Sequence, residues 1–184
     1  MKIDSHEQEH EGYKIRVAIH HDTDMGAPWE EHDGHGIVSE WTSRDKEPGE
    51  MVLCSDRHSR RYYDFKATLE VAKRDGWGLG DESKAKLAMK LGHKPTAKEI
   101  RTEAVQHDFE YCRGWCNDEW VWLGYTTEIE TPDGETLDGD SCWGFEGTDG
   151  GKEYMIGEAV SQAEAVIKRH QLTVRETAIA ECVP

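Results

Sequence analysis

The decapeptide Trp120–Ile129, WVWLGYTTEI, limits the fold of this chain more than any other stretch. Val121, Leu123, Tyr125, Thr127 and Ile129 alternate with Trp120, Trp122, Gly124 and Thr126. A period of two is the signature of a β-strand, and here neither set of side chains is polar enough to demand water. Such a strand belongs inside a sheet with both faces available for packing. Asp133-Gly134 and Asp138-Gly139 are turn pairs, so Ser141–Glu146 reads as an antiparallel return strand. Tyr13–Ile19 also alternates, with Tyr13, Ile15, Val17 and Ile19 on one face. Met51–Cys54 and Arg61–Tyr63 read as two short strands around the polar turn SDRHSR, and Ile37–Trp41 as another short strand.

The intervening segments carry helix signals. Asp64 can cap a helix over Phe65–Asp75, which Gly76 ends. Glu82–Leu91 is a weak, Lys-rich helix ending at Gly92. Thr96 and Glu99 form a capping box. The helix they open bears Ile100, Ala104, Tyr111 and Trp115 on one stripe, with Val105, Phe109, Cys112 and Cys116 beside it. Ile156–His170 is amphipathic, and the tail beyond it carries no clear pattern. Strands at both ends of a run of helices predict an α+β fold, an antiparallel sheet with three to four helices packed on it. The length suits a single domain over residues 1–184, with an acidic tail at 1–12 and a variable helical insertion at 79–95.

The formal charge is −16. Only the middle is basic: residues 51–100 carry 11 Lys and Arg against 7 Asp and Glu. Phosphate repulsion disfavours a nucleic acid ligand, while a protein with a basic surface suits such a molecule. The start, MKIDSHEQEHEG, does not resemble a secretory leader, and no apolar run approaches a membrane span. Five Cys residues in no compact framework read as reduced thiols.

The richest chemistry lies in HHDTDMGAPWEEHDGHG, residues 20–36. His20, Asp22, Asp24, His32, Asp33 and His35 offer nitrogen and oxygen donors for a divalent ion. The spacing is neither HExxH nor an EF-hand loop. The plainer reading is an ordered polar loop, its Asp side chains bonded to the backbone of their own turns, with Trp29 and Trp41 pinning it to the body. Cys112 and Cys116 lie one helical turn apart and, with His107 or Cys142, offer a zinc set, but CxxxC inside a helix fits core packing better. No P-loop and no GxSxG elbow occurs, and no cofactor or catalytic residue is assigned. Arg57–Tyr63 is basic with aromatic neighbours, as single-strand binders are, but reads better as a solvated hairpin turn. Glu128, Glu130, Asp133, Glu135, Asp138 and Asp140 crowd the second hairpin, where they form either a partner-binding patch or a solvated turn.

Three segments, GAPWEEHDGHGIVSEW, RDGWG and YCRGWCNDEWVWLGY, resemble a family of small uncharacterised proteins of tailed bacteriophages. The resemblance covers most of residues 13–147. It implies a viral accessory protein in the cytoplasm of a host bacterium and carries over no catalytic residue. The leading expectation is a protein that binds a host protein, as an acidic inhibitor of a defence or nucleic-acid enzyme. The alternatives are a metal-dependent hydrolase or nuclease using the His20–His35 loop, and a small structural or assembly protein.

Overall fold

In the computed structural model, which describes residues 2–181, the strand at Trp122–Glu130 is interior, as its two-sided pattern requires. Four strands, β1 (Lys2–His10), β2 (Tyr13–His21), β5 (Trp122–Glu130) and β6 (Thr136–Glu146), form an antiparallel sheet in the order β1-β2-β5-β6. The rest comprises α1 (Pro28–Glu31), β3 (Glu50–Ser55), β4 (Arg60–Asp64), α2 (Phe65–Arg74), α3 (Asp81–Leu91), α4 (Ala97–Cys116) and α5 (Asp149–Glu181). The fold is α+β, and no helix among the described residues is long and apolar enough to cross a membrane.

The chain divides into two compact units, where its length alone suggests one domain. The first unit joins residues 1–25 to residues 120–184; the second, residues 26–119, is inserted in sequence between β2 and β5.

In the first unit one face of the sheet is apolar. Tyr13, Ile15, Val17 and Ile19 of β2 and Leu123, Tyr125 and Ile129 of β5 are buried there. They pack against Met155, Ala159, Ala163 and Ile167, spaced to share one stripe of α5. Three segments differ from expectation. Residues 2–10, read as part of an acidic tail, form an edge strand whose side chains are mostly exposed; pairing with β2 through the backbone holds it. Asp138-Gly139, read as a turn, lies inside β6 at an irregularity opposite Thr127, so Asp133-Gly134 makes the hairpin alone. Helix α5 starts in the Gly-rich stretch after β6 and runs as far as Glu181, into the tail where the sequence carries no clear pattern.

In the second unit β3 and β4 form a hairpin whose inner residues meet α2 and α4. Leu53, Tyr63, Ala72, Val105, Phe109 and Cys112 make its buried core. Asp64 accepts from the Ala67 N–H at the start of α2, and both bonds of the Thr96–Glu99 box cap α4. The segment read as an insertion is α3, which buries Leu87 and packs on α4. Within the segment read as irregular loop, α1 forms one helical turn with Pro28 at its first position, where the ring's fixed φ suits a helix.

Candidate functional site

Two places stand out: the face of the four-stranded sheet opposite α5, and a polar cluster inside the second unit. The sheet face follows from strand register. Lys14, Arg16 and His20 alternate with the buried residues of β2, and their partners on β5 are Glu130, Glu128 and Gly124. Glu7 and Glu9 of β1 stand opposite Arg16 and Lys14, and Asp138 of β6 stands opposite Glu128. Trp143 completes the row through His20 and Gly124. Its indole occupies the space where a Gly124 side chain would stand and packs at 5.8 Å from the His20 ring, while 48% of the residue stays exposed. His20 also bonds Thr126 through Nε2, at 3.1 Å.

The acidic hairpin residues separate into two groups. Glu130 pairs with Lys14 and Arg16 at 2.9 Å each, and Glu128 pairs with Arg16 at 3.0 Å. These cations, Lys14 first, hold the Glu130 carboxyl below its ordinary range. Asp133, Glu135, Asp138 and Asp140 are exposed and have no cationic side chain in salt-bridge range among the described residues. The unneutralised charge therefore sits on the β5–β6 turn and the edge strand β6.

The donors of the His20–His35 loop fall into both units. Asp22 accepts from the N–H of Asp24 at 3.1 Å and of Gly144 at 3.0 Å, tying the end of β2 to β6. Asp24 is exposed, and His32 and Asp33 follow α1 at the surface. Trp29 packs edge-on against Trp115, while the Arg61 guanidinium lies over both Trp29 and Trp41, at 5.4 and 5.5 Å. Among the described residues, His35 alone of the loop donors enters a group close enough to share an ion, and its companions are Asp108 and Cys112 rather than its loop neighbours.

Asp108 organises that cluster. Its Oδ1 lies 2.6 Å from His35 Nδ1, and its Oδ2 accepts from Tyr63 Oη at 2.6 Å and the Gly36 N–H at 2.8 Å. The Cys112 Sγ lies 3.8 Å from His35 Nδ1 and 3.9 Å from Asp108 Oδ1. The His35 ring stacks on Tyr111, nearly parallel at 5.4 Å. Burial, then the bond to Asp108, pushes the Tyr63 hydroxyl pKa up; burial and the Asp108 charge do the same to the Cys112 thiol. A Cys-His-Asp nucleophile needs thiol and carboxylate on different ring nitrogens, so that histidine can relay a proton between them. Here both meet Nδ1, and the thiol is stabilised in its protonated form, so the cluster does not have the layout of a cysteine nucleophile. Sequence reasoning does not single out Asp108. The available signal is an acid among Val105, Phe109 and Cys112 on α4, one turn before a cysteine.

Cys112 and Cys116 face different partners despite their spacing. Cys116 faces the Cys54 thiol of β3; their interaction, then nearby Arg61, draws the Cys54 pKa down, while the same interaction and burial push Cys116 up. His107 pairs with Glu103, and Cys142 belongs to the first unit. The four cysteines among the described residues are free thiols; Cys182 lies outside them. In the Arg57–Tyr63 segment Tyr62 and Tyr63 are fully buried, so neither offers a ring to a nucleic acid base. In comparisons with known proteins, no family model, no curated protein and no solved structure matches this chain.

Proposed function

We propose that the protein acts by binding a protein partner through the sheet face opposite α5, with Trp143 as anchor and the acidic residues of the second hairpin as a charged rim. The observation that carries this is the half-exposed Trp143, seated on Gly124 beside His20 at the edge of a face rich in carboxylates. Large aromatics held in place by their own fold supply most of the affinity of many interfaces, while a charged surround sets encounter rate and partner choice. The partner this face suits is a protein with a basic surface. Together with the resemblance of the sequence to phage accessory proteins, this favours a viral protein that occupies a host defence or nucleic-acid enzyme in the bacterial cytoplasm.

Immobilised protein challenged with bacterial lysate at low and high salt tests this. A specific partner should bind at low salt and weaken as screening shortens to the Debye length of about 8 Å at physiological ionic strength. Trp143→Ala should cost about 2 kcal/mol of binding, roughly thirtyfold in affinity, without lowering the melting temperature. Reversing Asp138 and Asp140 to Lys should slow association. A complex indifferent to salt and to all three substitutions would contradict the assignment.

A further inference from the structure

We propose that His35, Asp108 and Cys112 form a divalent-metal site, with Zn²⁺ as the ion their donors fit. His35 Nδ1, Asp108 Oδ1 and Cys112 Sγ all lie within 4.8 Å of one another. Zinc binds imidazole nitrogen at about 2.0–2.1 Å, carboxylate oxygen at about 2.0–2.2 Å and thiolate sulfur at about 2.3 Å, so tetrahedral donors stand about 3.3–3.6 Å apart. The sulfur is already close to that spacing, at 3.8 and 3.9 Å from the other two atoms. His35 and Asp108, at 2.6 Å, need to part by less than about 1 Å to exchange a shared proton for a shared ion.

The surroundings are those of a supported site. The Tyr63 hydroxyl and the Gly36 N–H occupy Oδ2 of Asp108, which leaves Oδ1 turned to the other donors. Asp108 and Cys112 are four residues apart on α4, so the helix itself places them on one face. The Tyr111 stack fixes the plane of the His35 ring. A cleft of about 410 Å³, bordered by Gly34, Trp77 and Ser83, reaches Asp108, so the Asp108 side is where a water would complete the coordination. Mixed sulfur, nitrogen and oxygen donors select zinc or cobalt over magnesium or calcium, which take oxygen alone. Loading displaces the Cys112 proton, so binding strengthens as pH rises.

Cobalt is the probe, because thiolate ligation gives it a charge-transfer band in the near ultraviolet. Titration of the stripped full-length protein with Co²⁺ should saturate at one ion per chain with such a band, and Zn²⁺ should abolish it by replacement. The band should vanish in Cys112→Ser and persist in Cys54→Ser and Cys116→Ser. X-ray absorption at the zinc edge of the wild-type protein should show one sulfur among nitrogen and oxygen neighbours, a measurement that needs no variant to fold. Absence of the band, its survival in Cys112→Ser, or two sulfurs on the zinc would each overturn the proposal. Trp143→Ala leaves the site intact and should bind cobalt like the wild type, so this result stands or falls apart from partner binding.

Discussion

At the scale of single residues, two glycines show how the same missing Cβ serves different ends. A side-chain carbon at Gly36 would meet the Tyr63 hydroxyl at 2.2 Å and ring atoms at 2.4 and 2.6 Å, and Tyr63 is fully buried. Gly36→Ala therefore forces a packed ring off its bond to Asp108, at a cost of about 3 kcal/mol. At Gly124 the obstacle is the Trp143 indole, at 2.1 Å, which has solvent to move into. Gly124→Ala should lose little stability, within about 1 kcal/mol, yet weaken partner binding as Trp143→Ala does, because it lifts the anchor. Denaturant unfolding and binding measured on both variants check this contrast, and equal stability losses would refute it. Tyrosines set the alkaline limit. Burial foremost pushes the Tyr125 hydroxyl up to about 12, and burial with the Asp108 bond raises Tyr63. Free tyrosine ionises near about pH 10, so the unfolded chain releases these protons first. Their contribution is complete below that pH and is lost as pH climbs toward the folded values. Tyr63→Phe should cost about 1.5–3 kcal/mol at neutral pH, by leaving Asp108 short of a donor, and should flatten the decline above pH 10 in denaturation curves. An unchanged slope would show that Tyr63 ionises freely in the native state.

At the scale of elements, the signals that could be read in the sequence were local ones. β2 and β5 follow from strict alternation, and α2 and α4 from Asp64 and the Thr96–Glu99 box, because each pattern is completed within a few residues. β1 was illegible for a physical reason: an edge strand held by backbone pairing needs no apolar face, so Glu7, Gln8 and Glu9 look like tail. The candidate cluster was half legible. His35 stood in a conspicuous loop, but its partners lie 73 and 77 positions away, a distance only the fold can close. The helices also differ in how firmly they are held. α3 has no side-chain cap at its start and buries Leu87 alone, whereas α4 is capped and buries five residues. Amide exchange should therefore be faster throughout α3 than in the middle of α4, and Leu87→Ala should strip α3 of protection while leaving α4 unchanged. Exchange of both helices at one common rate would show that they open together.

At the scale of the whole molecule, two cores divide the labour. The four-stranded sheet with α5 carries a charged face that bears Trp143, and the inserted unit builds a half-buried polar cluster on α4. The net charge of −16 acts on association rather than on fold, and its unpaired share at the second hairpin lies along the same strand, β6, that carries the half-exposed Trp143, and at the turn before it. Hydroxyl-radical footprinting of the partner-bound protein tests the binding face most directly, because the reagent reads side-chain exposure. Trp143, 48% exposed, should lose most of its reactivity in a saturated complex, while Tyr154 on α5, 67% exposed, should keep its own. A complex in which Trp143 stays as reactive as in the free protein, while α5 or the inserted unit becomes protected, would contradict the assignment of the sheet face as the binding surface.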